Sequence, residues 1–176
     1  MSNVYIRPLT LPDAEELLNL EKKNQFFFES YSITRPSNYF TIEAQKELIN
    51  KWQQNTDKDM EYRFGIFRTS DDLLIGTIGL FQVMRGPRQC AILGYSLDQE
   101  HNGKGYTTEA AKLVVIYAFE TLHLHRIEAG VMPHNIGSIR VLEKVGFHKE
   151  GIAMKNVEIN GHWEDHQMLA ILNPSH

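Results

Sequence analysis

The chain has 176 residues, 42% of them hydrophobic and 23% charged, a globular composition that excludes wholesale disorder, a collagen-like fibre and a disulfide scaffold. At ~150 residues per domain, residues 1–176 are read as one domain. The 18 basic residues against 22 acidic ones leave a net charge of −4, the wrong sign for a general nucleic-acid binder.

Val4 to Leu9 alternates in polarity and carries Pro8, which suits a short strand at a sheet edge. Thr10 as cap, Pro12 in the first turn and Asp13 at the positive end then start a helix. Leu11, Ala14, Leu17 and Leu18 form its apolar face. In the segment Phe26 to Tyr31 the three adjacent residues Phe26, Phe27 and Phe28 cannot all face one core from a helix or a strand. This segment is either a turn between helices or the wall of a substrate cleft, with Phe27, Phe28 and Tyr31 toward the substrate. A second helix runs from Thr41, its cap, to Trp52, with Ala44, Leu48 and Trp52 on one face.

Strands follow at Tyr62 to Arg68, Leu73 to Phe81 and Gln89 to Leu97, joined by short turns as an antiparallel meander. The one cysteine, Cys90, lies in the third and is read as a packed thiol in a reducing compartment. Lys104 to Leu122 is the longest helix, with Ala110, Leu113, Val114, Tyr117 and Ala118 at helical spacing. A strand from Arg126 to Met132 precedes a helix from Ile136 to Lys144, capped by Asn135 and stopped by Gly146. Its apolar face is read as Val141, Leu142 and Val145. Phe147 to Ile159 and Trp163 to Leu172 pair through an Asn160-Gly161 turn. The order is a mixed α/β (α+β) domain with an antiparallel front and a βαβ-like back. No apolar run has the length of a signal-peptide core or a membrane span, so a cytoplasmic protein without membrane or nucleic-acid partners is expected.

Glu100-His101-Asn102-Gly103-Lys104-Gly105-Tyr106 follows a strand and opens a helix. Two glycines let a ligand approach the backbone, and a helix start offers unpaired N–H groups, a cradle for phosphate or pyrophosphate. It is neither the full dinucleotide fingerprint, because Thr108 stands at the third glycine position, nor a P-loop. Alone it also fits a tight turn into a helix. His162 and His166 mimic a zinc pair, but Trp163 stands where a glutamate belongs and the segment is a strand. No metal is expected, and the histidines are read as solvated or capping.

Read with Asn135-Ile136-Gly137-Ser138 and Leu142-Glu143-Lys144-Val145-Gly146-Phe147, the loop from Asn102 to Ala110 resembles the acyl-CoA-binding core of the GNAT acetyltransferase superfamily. Ile6-Arg7-Pro8-Leu9-Thr10, Asp13-Ala14, Gly105-Tyr106-Thr107-Thr108-Glu109-Ala110 and Glu150-Gly151 fit its RimJ/RimL-type branch, which acetylates protein N-termini. The resemblance spans about residues 4 to 172. It departs at Glu100, where the family has Gln or Arg, and that acidic side chain is expected to point to solvent.

The resemblance implies a GNAT fold, in which the meander and the next parallel strand splay apart to hold acetyl-CoA. Leu93, Gly94, Tyr95, Ser96 and Leu97 would pair with the pantetheine amides as an added strand does, with a bulge at Gly94. Backbone N–H groups of Asn102, Gly103, Lys104, Gly105, Tyr106 and Thr107 would bind the phosphates. Asn135 would bond a pantetheine amide or serve only as cap, and Ser138 would protonate the leaving thiolate or serve only in the cap. Glu158 is taken as the base, with Glu109, Asp165, Glu61, Glu164 and Asp98 as rivals. An α-amine with pKa ~7.7–8.0 is about 10% neutral at pH 7, so it needs less help than lysine. The implied acceptor is a protein or peptide N-terminus. A small amine in a closed pocket formed by Phe26 to Tyr31, Tyr39 and Trp52, or a non-catalytic acyl-CoA-binding module, are the alternatives, in a monomer or a homodimer.

Overall fold

The computed structural model describes Met1–His176. Seven strands form one sheet in the order β1-β2-β3-β4-β5-β7-β6. β1 (Val4–Arg7), β2 (Tyr62–Arg68), β3 (Leu73–Met84) and β4 (Cys90–Leu97) are the antiparallel meander. β5 (Arg126–Val131) joins β4 in parallel, and β7 (His162–Leu172) and β6 (His148–Ile159) continue antiparallel. Asn160 and Gly161 take the positive φ angles, 52° and 82°, that a tight hairpin needs.

The helices lie in two layers because neighbouring residues on a strand face opposite ways. Ile66, Ile78, Leu80 and Ala91 enter the main core with α4 (Tyr106–Ile116) and α5 (Ile136–Val145), while Phe67 and Leu74 meet α1 (Ala14–Lys23) and α3 (Ile42–Asp57) in a smaller one. In α1 the buried positions are Ala14, Leu17 and Leu20, whereas Leu11 is exposed. Leu11 belongs to a preceding 3-10 turn, Leu11–Asp13, so it leaves the expected face. In α3, Gln45 and Ile49 are buried and Ala44, Leu48 and Trp52 flank them. Thr41 caps it by accepting from Ala44 N–H at 3.2 Å.

The long helix does not run evenly to Leu122. It is α-helical to Ile116 and closes through a wider turn at Tyr117–Thr121, where Leu122 N–H donates to the Tyr117 carbonyl five residues back at 3.1 Å. Tyr117 there packs edge-on to Phe64, 5.3 Å between ring centres. α5 starts on Asn135 and ends at Gly146, whose φ of 118° favours glycine. The short α2 (Gln25–Glu29) carries the phenylalanines. Cys90 is buried at the start of β4.

Candidate active site

β4 and β5 hydrogen-bond only from Cys90 opposite Arg126 to Ile92 opposite Glu128, yet they continue to Leu97 and Val131. Beyond Ile92 they part, and the facing polar groups of β4 lose their ladder partners. A cavity of about 150 Å³ fills the gap, walled by Leu93, Gly94 and Tyr95 of β4, Ala129, Gly130 and Val131 of β5, and His166 of β7. Tyr95 spans the opening: its hydroxyl lies 2.6 Å from Ser138 Oγ and 3.3 Å from the Ser138 carbonyl. Burial pushes the Tyr95 phenol up to about 12. Gly94 keeps its place without a bulge: the β3–β4 register runs unbroken past it and shifts only between Phe81 and Met84. A side chain there would put Cβ 2.4 Å from the Phe81 ring. Glycine is needed for that close approach, not for an extra residue.

A larger cavity of about 690 Å³ continues from the small one, sharing Tyr31, Tyr95, Asn135 and Ser138. Ser96 and Leu97 line its β4 side, Phe27 and Phe28 its rim, and Asn102, Gly103, Gly105, Tyr106 and Thr107 its far end; Lys104 is not on this wall. Gly103 and Gly105 have φ of 78° and 81°, and a Cβ on either would meet nothing within 4 Å. Their role is the left-handed backbone. The N–H groups of Gly103, Lys104 and Gly105 donate to no protein group, and the first turn of α4 adds more unpaired donors. Arg140 and Lys144 of α5 bring positive charge to the same wall. Glu100 turns outward and pairs with Lys23 at 2.9 Å, so it leaves the donors open.

These surfaces fit an acyl-CoA. A free strand edge suits an amide-rich chain. Unpaired N–H groups with two cations suit phosphates, and Ser138 and Tyr95 stand where the small cavity meets the large one.

The carboxylates named as bases are elsewhere. Glu158 is exposed on β6 opposite Trp163 and lines neither cavity. Glu109 clasps the N-terminus, accepting from Asn3 N–H at 2.7 Å and from the Ser2 hydroxyl. Asp165 accepts from Lys155 N–H at 2.8 Å, Asp98 pairs with Lys23 at 2.8 Å, and Glu61 accepts from Asn55 at 3.1 Å. Glu164 is also off both walls. The histidines correct the sequence reading, because two of them are neither solvated nor capping. His101 is buried beside Arg68 and lines the large cavity, and His166 is buried in the small one. Their sequence neighbours give no sign of this; sheet register and loop closure do it. The β5 wall and the polar side of α5 were missed for the same reason. Val141, expected in the core, lines the large cavity instead.

A family model described as the acetyltransferase (GNAT) domain matches residues 3–148. A probable N-acetyltransferase, YjcK of Bacillus subtilis (strain 168), is 62% identical over 97% of this chain and 94% of its own. The crystal structure of ribosomal-protein-S5-alanine acetyltransferase from Vibrio fischeri superposes with a TM-score of 0.93 at 30% identity, covering 99% of this chain and 95% of that one. Spermidine N(1)-acetyltransferase of Vibrio cholerae serotype O1 (strain ATCC 39315 / El Tor Inaba N16961) is 28% identical over 97% of this chain and 94% of its own. A splayed sheet, a cradle of free N–H groups and a family match over most of the length converge: the chain belongs to the GNAT family and is an N-acetyltransferase that uses acetyl-CoA.

Proposed function

We propose that the acceptor is the N-terminal α-amine of a protein or peptide, as in the S5-alanine relative. The observation that carries this is the charge of the walls: neither cavity is lined by a single Asp or Glu. A polyamine is held in its cationic form by carboxylates, and a wall without them favours an acceptor whose reacting nitrogen sheds its proton more readily. Of the two kinds of amine a protein offers, the α-amino group loses its proton more readily, with pKa ~7.7–8.0 against ~10.4 for lysine. Phe27, Phe28 and Tyr31 supply an apolar and aromatic rim for the first residues of such a chain.

In this reading the N–H groups at the parted edge of β4 face the thioester carbonyl and stabilise the charge that builds on its oxygen. Asn135 donates from its amide to the pantetheine arm. Ser138 gives its hydroxyl proton to the departing thiolate and is resupplied through Tyr95 and water. The test incubates the protein with acetyl-CoA and, in parallel, an Ala- or Ser-starting peptide, an N-blocked lysine peptide and a polyamine mixture, and reads products by mass spectrometry. Acetylation of the free N-terminus alone is expected. Acetylated polyamine with an untouched peptide overturns the assignment.

A further inference from the structure

We infer that His166, on β7, is the group that takes the proton from the attacking amine; this rests on the amine-acetylating reading above. It stands beyond residues 3–148, the span of the family match. His166 is only 7% exposed, yet it lines the small cavity that also holds Tyr95 and Ser138. Its Nδ1 lies 3.2 Å from the Glu164 carbonyl. A carbonyl only accepts, so Nδ1 carries the hydrogen and the neutral ring leaves a lone pair on Nε2. No protein group hydrogen-bonds Nε2.

The surroundings leave Nε2 without competition. The other titratable side chains on this wall are Tyr31 and Tyr95, and burial keeps the Tyr95 phenol protonated. On β7, Glu164 presents its carbonyl to the ring and Asp165 is occupied by Lys155 N–H. Across the ladder on β6 the partner is Ala153. From β5 the neighbour is Gly130, where a Cβ would come within 3.7 Å of the imidazole Cδ2.

The two polar ends of the cavity then divide the reaction. As the amine nitrogen bonds to the acetyl carbon, its surplus proton passes to His166 Nε2. As the carbon–sulfur bond breaks, the thiolate takes the Ser138 hydroxyl proton. His166 returns its proton to water when the amide leaves, and Ser138 regains one through Tyr95, so the balance is one amide and one thiol.

Two measurements test this. Nitrogen-15 NMR of the protein without acceptor should show the Nδ1–H form of His166, and an Nε2–H form overturns the inference whatever the acceptor proves to be. With the acceptor found by the product assay, His166→Gln should lower kcat by about 10²-fold or more. It should also leave acetyl-CoA affinity within about twofold of wild type. His166→Asn gives the same reading if the glutamine variant does not fold. Wild-type turnover in a folded variant overturns the inference, as does a larger loss of kcat in Glu158→Gln than in His166→Gln. Absence of any acetylated product from the wild type counts against the functional reading instead, and the ring measurement still decides the tautomer.

Discussion

At the scale of single residues, Ser138 shows how a cap position becomes free for chemistry. It is the third residue of α5, and the cap bond there is made by Asn135 Oδ1, which accepts the Ser138 N–H at 3.4 Å. The hydroxyl is therefore not spent on the helix end. Its strong partner is Tyr95, 2.6 Å away, a hydroxyl pair in which either oxygen can donate, so a proton can pass between them toward the cavity. Ser138→Ala is expected to reduce kcat by about 10- to 100-fold, at or below the usual range for a lost acid because a thiolate is a good leaving group. Tyr95→Phe should cost about tenfold by the same route. Both should bind acetyl-CoA as the wild type does, by calorimetry; unchanged kcat in Ser138→Ala removes the serine from the mechanism. Ser138 and Asn135 were visible in the chain because their motif is local. His166 was not, because only the β5–β7 register, Gly130 against Met168 and Val131 against Gln167, carries it to the cavity.

At the scale of elements, the start of α1 is tied by a small charged knot. Asp13 accepts from Thr10 N–H at 2.7 Å and pairs with both terminal nitrogens of Arg7, at 2.8 and 2.9 Å. The Arg7 guanidinium, and next the Thr10 backbone, hold the Asp13 carboxyl at about 2, against the opposing pull of burial. A carboxyl lowered in the folded state stabilises it above the ordinary aspartate range. That contribution fades as pH falls from about 4 through about 2. Asp13→Asn should cost ~1 kcal/mol at pH 7. The gap from wild type in urea unfolding should narrow steadily below pH 4; a gap independent of pH rules out the ion pair as its source. Thr10, Pro12 and Asp13 were legible as a helix start, but which side chain makes the bond was not. Thr10 holds the cap position as the pattern suggests, and Asp13 reaches back to accept its N–H. α5 and the last hairpin were legible because Asn135, Gly146 and Asn160-Gly161 each act within a few residues. The wide turn at Tyr117 was not, since the apolar spacing continues through it while its ring packs on β2.

At the scale of the whole molecule, the sheet is two half-sheets joined by a narrow seam. The meander and the β5–β7–β6 unit share three ladder pairs between β4 and β5, the Gln89 carbonyl that accepts the Arg126 N–H, the Arg88–Glu128 ion pair at 2.6 Å and a common core beneath. The seam ends where the cavity begins, so an acyl-CoA laid along β4 and onto the start of α4 replaces the missing ladder and bridges the halves. Binding to the folded state alone stabilises it by ~2.7 kcal/mol at a hundredfold excess over Kd, which for a chain of this size raises Tm by about 5–10 °C. The location of that stabilisation is the sharper expectation. Hydrogen exchange with acetyl-CoA present should slow most at residues 103–108 and at those amides of residues 93–97 that point away from β3 toward the parted β5 side, where the donors now lack ladder partners. It should change little in β1 or α3, which lie on the far side of the meander. Thermal stabilisation with unaltered exchange in both stretches refutes the placement of the co-substrate in the splay. Protection confined to 103–108 retains the phosphate cradle but separates the reacting end from Tyr95 and Ser138.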